Sequence, residues 1–438
     1  MGQWLDSLTA WLGANPQWLG VAIFVVACVE CLAIAGIIVP GTVLLFAVAV
    51  LAGSGTFSLG ETLLLGFLGG LLGDVLSFCI GKYFHQNIRR LPLLRNHPEW
   101  VGSAEAYFQR YGIASLLVGR FIGPLRPMLP MVAGMLDMPV PRFIGVSLLA
   151  GAGWSVAYLL PGWATGAAMR LPLPEGFWLD AGIVFGTLAV LIGLSLTSSI
   201  RDQRHGTRLI AGLSGIAVAA LFVGWPYLHE FDQGVMTLVQ EHRSAALDGI
   251  VVVITRLGDF RTQFFLGGLL TGLLLLTRQW RHAVFAGAAL VGTAASNGTL
   301  KWLFARARPE VLTDPLTSYS MPSGHSSASF AFFLVLAILA GRSQPPRMRL
   351  TWVMLGCIPA LAIALSRVYL GAHWPTDILA GALLACCLCA LSLTLVQYRQ
   401  PLTALPQRVW WLVLPACVAL LSFFALHALP QALVRYQY

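Results

Sequence analysis

Two histidines in the C-terminal half of the sequence stand among residue types that support phosphoryl transfer. His325 ends a Pro-Ser-Gly-His sequence, and His373 stands four residues before Asp377. Residues four apart share one face of a helix, so the carboxylate of Asp377 can reach the imidazole of His373. A carboxylate on one ring nitrogen fixes the tautomer and leaves the other nitrogen free to attack.

Fixed positive charges accompany these histidines. A phosphoryl group in transfer spreads negative charge over three oxygens, so its catalysis consists mostly of positioning and charge stabilisation. Arginine can bind a phosphate through two parallel hydrogen bonds. Ser323 and Gly324 are expected to open a helix through Leu339, whose free backbone N–H groups would point at an anion. The cations are Lys301, Arg308 and Arg367.

The candidate residues belong to a chain with the composition of a membrane protein. Of its 438 residues, 10% are charged and 57% are hydrophobic, whereas soluble proteins have about 25% charged residues. Only helices or closed barrels satisfy the backbone in lipid, and the period-two alternation of a barrel is absent. We therefore predict an all-α integral membrane protein. The apolar runs are 18–53, 177–200, 209–227, 262–277, 283–300, 350–365 and 378–396.

The distribution of positive charge predicts the orientation of the candidate site. The net charge of +9 does not indicate nucleic-acid binding, because the basic residues form short clusters between apolar runs. Such clusters mark cytoplasmic loops. One crossing separates each cluster from segments 301–325 and 366–373, which would then face the periplasm or outside. The basic loops are 201–208, 278–282, 342–349 and 398–408.

A polar break divides the sequence. We expect a membrane domain at 1–200, a cytoplasmic linker at 201–208 and a six-helix domain at 209–400. Residues 401–438 would add one transmembrane helix, at about 409–428.

The N-terminal half contains two apolar segments that are interrupted by prolines, glycines and charges. They run from Glu30 to Gly41 and from Gly119 to Gly134, the second containing Pro124. Interrupted segments in matching places point to re-entrant hairpins around a site at the membrane midplane.

Four charged residues lie in or beside these apolar stretches, namely Glu30, Asp74, Arg120 and Arg126. An ionised group at mid-membrane costs roughly 2.5–3.5 kcal/mol, so each needs a partner or a function. Two alternatives stay open. The four residues form two structural salt bridges, or the arginines bind a lipid phosphate while a carboxylate titrates and couples transport to protons.

The C-terminal half closely resembles the type-2 phosphatidic acid phosphatase superfamily over roughly 209–400. Its motifs here are K-x6-RP from Lys301, PSGH, and SR-x5-H-x3-D from Ser366. This half has no cluster of Asp, Glu, His or Cys at metal-ligand spacing, so we expect no catalytic metal or cofactor. His325 must carry a proton while His373 does not, which predicts a bell-shaped pH profile. Arg306 matches no motif position. The implied roles are nucleophile and phosphohistidine for His373, general acid for His325, orientation for Asp377, and phosphate binding for Lys301, Arg308, Ser323, Gly324 and Arg367.

The N-terminal half resembles the DedA family, also called SNARE-associated or VTT proteins, over about 15–195. The resemblance rests on Glu30, Pro40-Gly41, the Gly69–Asp74 pattern and the Gly119–Pro127 pattern. It implies lipid scrambling or flipping, with undecaprenyl phosphate as a leading bacterial substrate. Many members have an acid directly after Pro-Gly, where this chain has Thr42.

Three functions follow from these patterns. The first is a lipid phosphatase of the bacterial inner membrane, best suited to undecaprenyl pyrophosphate, fused to a lipid-phosphate flippase. The second is a phosphatase of phosphatidic acid, phosphatidylglycerophosphate or lipid A with a structural N-terminal half. The third is a transporter with a regulatory phosphatase-like module, against which the complete motifs argue. A vanadate-dependent haloperoxidase is disfavoured by the membrane setting. The expected partners are the lipid phosphate substrate and membrane lipids, without nucleic acid; a homo-oligomer stays open.

Overall fold

The computed structural model describes residues 11–90, 98–121, 126–200, 205–313 and 316–427, together with residues 7, 95, 429, 433 and 436. Every regular element in these ranges is helical. Eight of the described helices are long and apolar enough to cross a membrane. The prediction of an all-α, multi-pass membrane protein is confirmed.

The chain forms two compact units, Met1–Pro172 and Leu173–Tyr438. This division precedes the expected linker at 201–208, of which residues 201–204 lie outside the described ranges. The reason is packing: Phe177, at the start of the intervening helix, stacks on Phe231 with ring centroids 6.3 Å apart.

The N-terminal unit contains two long helices and several short ones. Its α-helices are α1 (Leu19–Cys31), α2 (Ala35–Ile38), α3 (Gly41–Leu51), α4 (Leu59–Phe84), α5 (Pro98–Tyr111), α6 (Ile113–Gly119), α7 (Met128–Met135) and α8 (Val140–Ala168). A π-helical turn at Ala52–Thr56 continues α3, and 3-10 turns occupy Pro16–Trp18 and His85–Arg90.

The two interrupted apolar segments are broken helices, as predicted. After α1, the backbone becomes extended at Leu32, with ψ 130°, and α3 begins directly after Pro40. Helices α1 and α3 pack against each other, so the chain folds back at this break. The second segment breaks between α6 and α7. Pro124, predicted from the sequence to take part in this interruption, lies outside the described residues.

The C-terminal unit contains the six predicted helices, the predicted extra helix and further elements. Its α-helices are α9 (Phe177–Ile200), α10 (Gly206–Gly224), α11 (His229–Glu241), α12 (Ala245–Arg256), α13 (Phe260–Leu276), α14 (Trp280–Phe304), α15 (Gly324–Ala340), α16 (Pro346–Tyr369), α17 (Pro375–Val396) and α18 (Gln407–Leu426). Helices α11 and α12 were not predicted, because their polar residues exclude them from a search for apolar runs.

The candidate site lies at one end of a bundle of alternating helices. It is built from the end of α14, the start of α15, the end of α16 and the start of α17. At the opposite end, Arg281 donates to the carbonyl of Val396 at 2.8 Å, and His282 Nε2 lies 2.9 Å from the carbonyl oxygen of Thr403. An apolar core that includes Phe285 and Phe332 fills the space between the helices.

Candidate active site

His373 lies between α16 and α17 and has hydrogen-bonding partners at both ring nitrogens. Its Nδ1 atom lies 3.4 Å from Oδ2 of Asp377 and 3.3 Å from Oγ of Ser320. Its Nε2 atom lies 3.1 Å from Nη1 of Arg308. Arginine can only donate, so this geometry assigns the lone pair to Nε2 and the proton to Nδ1. A buried imidazole thus presents its lone pair toward a cation.

Arg308 is fixed by the backbone around the site. Its Nε donates to the carbonyl of Ser318 at 2.6 Å, and its Nη1 donates to the carbonyl of Ala372 at 2.6 Å. These bonds hold the guanidinium beside His373, although the two residues are 65 positions apart in the sequence.

Asp377 is the acceptor at the centre of a buried hydrogen-bond network. Its Oδ2 accepts from the backbone N–H of Trp374 at 2.9 Å and from the hydroxyl of Ser320. Its Oδ1 accepts from Nη1 of Arg306 at 2.8 Å. Because both of its oxygens accept hydrogen bonds, the carboxylate of Asp377 cannot rotate freely, and it can therefore fix the orientation of His373.

Arg306, which matches no motif position, connects Asp377 to a second buried carboxylate. Its Nη2 donates to Oδ2 of Asp232 in α11 at 2.5 Å. The backbone N–H of Thr376 donates to Oδ1 of the same aspartate at 2.9 Å. The guanidinium also lies over Trp225, with Cζ 4.4 Å from the ring centroid. Arg306 and Asp232 therefore support the start of α17, a role for which the sequence offers no spacing signal.

His325, in the first turn of α15, also has a carboxylate partner outside the motifs. Its Nε2 atom lies 2.9 Å from Oδ1 of Asp259, the N-cap residue of α13. The preceding Gly258 lies directly against the ring, since a Cβ there would be 3.1 Å from Cδ2 of His325. The only sequence signal for this contact is a Gly-Asp pair between two apolar runs.

The other predicted phosphate-binding cations lie at the same end of the unit. Arg367, which is 2% exposed, donates from Nη1 to Thr255 at 3.0 Å and to the hydroxyl of Tyr436 at 2.7 Å. Its Nε has no hydrogen-bond partner in the described part of the chain. Nζ of Lys301 donates to the carbonyl of Tyr319 at 2.5 Å. Arg367 thus keeps a donor available for a ligand.

The Pro-Ser-Gly-His sequence is held against the start of α17. Ser323 is the N-cap residue of α15, and its backbone N–H donates to the carbonyl of Asp377 at 3.0 Å. A Cβ on Gly381 would lie 2.8 Å from the carbonyl oxygen of Ser323, so any side chain there would separate the two helices. A Cβ on Gly324 would meet nothing closer than 3.6 Å, which leaves space beside the helix N-terminus.

Burial and neighbouring charges shift the pKa values of His373 and Asp259. Burial and then the positive charges of Arg308 and Arg367 lower the pKa of His373 well below its ordinary value of 6.5. The imidazole is therefore neutral at neutral pH. Burial alone would raise the pKa of Asp259, but the hydrogen bond from His325 and nearby positive charges hold it below its ordinary value.

In the N-terminal unit, the four predicted charges form two buried ion pairs. Arg126 pairs with Glu30, and Arg120 pairs with Asp74. The hydroxyl of Thr42 donates to Oε1 of Glu30 at 3.0 Å. An acid in place of Thr42, as in many DedA proteins, would therefore face Glu30.

In the C-terminal unit, a neutral histidine, a carboxylate beside it and fixed cations meet at the ends of four helices. The PAP2 superfamily model matches residues 282–401, and the VTT domain model matches residues 39–164. The chain thus contains a VTT (DedA) domain in its N-terminal part and a PAP2 superfamily domain in its C-terminal part.

Three similar proteins each cover less than half of the chain. Inner membrane protein YabI of Escherichia coli is 40% identical over 152 residues, which are 35% of this chain and 60% of YabI. Undecaprenyl phosphate transporter A of Bacillus subtilis is 25% identical over 166 residues, 37% of this chain and 78% of that protein. A transmembrane PAP2-type phosphatidylglycerolphosphate phosphatase from Bacillus subtilis, known from a crystal structure, is 21% identical with a TM-score of 0.40, covering 43% of this chain and 97% of that one.

Proposed function

We propose that this protein removes phosphate from a lipid phosphate or pyrophosphate, with undecaprenyl pyrophosphate as the favoured substrate. The observation that carries this proposal is the alignment of Arg308, His373 and Asp377, with the imidazole ring between the cation and the carboxylate. A phosphate held by Arg308 would lie within reach of Nε2 of His373.

The reaction has two steps. Nε2 of His373 forms a bond to phosphorus, the bond to the leaving oxygen breaks, and His325 gives that oxygen a proton. Water then attacks phosphorus, the phosphorus–Nε2 bond breaks, and His325 takes a proton from the water, which releases inorganic phosphate and restores both histidines. Asp377 stabilises the positive charge that develops on the imidazole in the first step.

Side-chain cations take the place of a metal ion in this mechanism. The charges of Lys301, Arg308 and Arg367 all act on His373, and together they oppose the charge on the transferring group. We therefore propose that catalysis needs no metal.

Phosphate release from a panel of lipid phosphates, measured with purified protein in EDTA, tests the enzyme proposal. His373→Ala and His325→Ala should each abolish release, whereas His427→Ala, which changes an exposed histidine, should not. Loss of activity in EDTA that magnesium restores would reject the metal-free mechanism. Preference for phosphatidic acid, phosphatidylglycerophosphate or a lipid A phosphate over the polyprenyl substrate would favour the broader lipid phosphatase instead.

We further propose that the site faces the periplasm of the bacterial inner membrane. The basic side chains of Arg281, Arg342 and Arg347 lie at the end of the unit opposite His373, and clusters of this kind favour the cytoplasmic side. Undecaprenyl pyrophosphate that glycan transfer leaves on the periplasmic face would be converted to the monophosphate at this site.

The N-terminal unit would return this monophosphate to the cytoplasmic face. A charged head group cannot cross hydrocarbon unaided, because burial of an unpaired ion is too costly. Arg120 and Arg126 could shield the head group, with Glu30 and Asp74 supplying compensating charge or a proton. The name of the Bacillus subtilis relative, an undecaprenyl phosphate transporter, supports this assignment. The product of one unit would then be the substrate of the other.

Transport is tested in liposomes by following the leaflet that holds labelled undecaprenyl phosphate. Wild type and His373→Ala should both move the lipid. Arg120→Ala and Arg126→Ala should not, whereas Arg142→Ala, at an exposed position of α8, should behave like wild type. Absence of movement in wild type, or unchanged movement in both buried-arginine variants, would leave the N-terminal unit with a structural role.

A further inference from the structure

The two buried arginines of the N-terminal unit lie against one indole ring. Cζ of Arg120 is 5.1 Å from the ring centroid of Trp154, and Cζ of Arg126 is 5.5 Å from a ring of the same residue. Trp154 lies on α8 and has 0% exposure. An indole face attracts a cation, but two cations at one ring also repel each other. The arrangement therefore brings two guanidinium groups, each paired with a carboxylate, together at one indole ring.

Three buried N–H donors around this ring have no hydrogen-bond acceptor among the described residues. They are Nε1 of Trp154, Nε of Arg120 and Nε of Arg126. An unpaired buried donor costs about 1–3 kcal/mol, and folded proteins contain few of them. Trp163 on the same helix shows the usual outcome, since its Nε1 donates to the carbonyl of Phe57 at 3.0 Å. Against these three donors stands one unpaired acceptor among the described residues of this unit, Oε2 of Glu30, so the cluster lacks acceptors for the remaining donors.

The ring and one guanidinium are held in place by a close helix approach. A Cβ on Gly70 of α4 would lie 2.8 Å from Cζ3 of Trp154 and 3.0 Å from Nη2 of Arg120. Any larger residue at this position would displace both groups. The same Nη2 also lies 3.6 Å from Sγ of Cys31. The donors are thus arranged before a ligand binds.

We propose that Trp154 is the third donor of a phosphate site, in which its indole N–H binds a phosphate oxygen while its ring supports Arg120 and Arg126. The ligand class is a phosphate monoester, and a polyprenyl phosphate is the source that fits a donor cluster buried in a membrane unit. The proposal rests on the transport function assigned above and extends it, because it names the group that would distinguish a phosphate from a neutral head group. A polyprenol offers no oxyanion to satisfy three donors.

Binding is measured as the thermal stabilisation of purified full-length protein, followed by light scattering so that tryptophan changes do not affect the signal. All variants carry His373→Ala, which prevents turnover and keeps the phosphatase unit identical. The ligands are a short-chain polyprenyl phosphate, inorganic phosphate and the matching polyprenol. Trp154→Phe keeps an aromatic face and removes the N–H donor. Trp163→Phe is the matched control on the same helix.

Loss of a hydrogen bond to a charged group should weaken polyprenyl phosphate binding about 10-fold or more in Trp154→Phe. Trp163→Phe should bind like its parent, and polyprenol should stabilise none of the proteins. Equal affinities in the two variants, or equal stabilisation by polyprenol and polyprenyl phosphate, would overturn the assignment. A response to inorganic phosphate that depends on Trp154 would assign the site to the free ion as well as to the lipid head group.

If Trp154→Phe fails to fold, benzothienylalanine introduced at position 154 gives the same comparison, because it preserves the shape of tryptophan and lacks the N–H. Liposome transport separates this proposal from the function on which it rests. Trp154-dependent binding without lipid movement in wild type would reject transport and keep the site. Lipid movement that needs Arg120 and Arg126 but is unchanged in Trp154→Phe would keep transport and reject the role of Trp154.

Discussion

The Nε2 atom of His325 lies 2.9 Å from Oδ1 of Asp259, so the proposed general acid is held by a carboxylate from another helix. Burial and the charge of Arg367 lower the pKa of His325 to about 4, and the carboxylate of Asp259 fixes the ring and opposes that lowering. Proton donation should therefore depend on Asp259 as well as on His325.

Asp259→Asn should lower kcat in proportion to how much the leaving group needs a proton. General acids contribute about 100-fold or more, and we expect the loss with a lipid phosphate monoester, whose leaving group is an alkoxide, to approach about 100-fold. With p-nitrophenyl phosphate, whose leaving group needs little protonation, the loss should nearly disappear. Steady-state kinetics with both substrates provides the measurement. Equal losses for both would mean that Asp259 does not act through proton donation.

The activity should persist in mild acid because the pKa of His373 is lowered. Burial and the charges of Arg308 and Arg367 shift that pKa below 6.5. The nucleophile is neutral above its lowered pKa, and activity is lost as the pH falls through that value. The acid limb of kcat/KM should therefore lie below pH 6.5. The ionisation of the substrate phosphate is titrated separately by phosphorus NMR, and an acid limb of enzyme origin at or above the ordinary histidine pKa would contradict the expectation.

Arg367→Lys should be damaging although it preserves the charge. The planar guanidinium is held through Nη1 by Thr255 and Tyr436, which leaves Nε as an oriented donor. An ammonium group cannot reproduce that geometry, and loss of an oriented donor costs about 100-fold in kcat. Arg347→Lys, at the exposed opposite end of the same helix, serves as the control. Kinetics near wild type for Arg367→Lys would remove this residue from direct contact with phosphate.

Arg306→Gln should destabilise the C-terminal unit as well as inactivate it. The substitution leaves Asp232 and Asp377 buried without their shared cation. Breaking a buried ion pair typically costs about 3–5 kcal/mol. Thermal unfolding should therefore begin at a lower temperature than in His373→Ala, which removes only the reacting group. An Arg306→Gln variant that is inactive but as stable as His373→Ala would give Arg306 a direct catalytic role instead.

The motif residues could be predicted from the sequence because local spacing determines their positions. Lys301 lies in the last turn of α14, and Ser323 is the N-cap residue of α15. Asp377 lies in the first turn of α17, but His373 precedes that helix, so the two residues meet across the helix start and not on one helix face as predicted. The convergence of the motif residues requires only that neighbouring helices alternate in direction. The charges of the N-terminal half were also visible, since ionisable residues are conspicuous in apolar stretches.

The supporting residues could not be predicted in this way. Asp232 contacts Thr376 across a separation of 144 positions, and it lies in a short polar helix that no apolar run reveals. Asp259 reaches His325 only because Gly258 allows close packing. The choice of partners, Glu30 with Arg126 and Asp74 with Arg120, likewise depends on how the broken helices fold back.

The pairing of these four residues also has an electrical consequence for lipid movement. With all of them ionised, Glu30, Asp74, Arg120 and Arg126 sum to zero formal charge, and Thr42 contributes none. An entering lipid phosphate would make the unit negative unless a proton accompanied it. Moving one elementary charge through 100 mV is worth about 2.3 kcal/mol. A membrane potential that is negative inside would thus oppose the inward movement of the lipid anion alone. It would favour inward movement in which protonation of a carboxylate offsets the negative charge of the lipid phosphate.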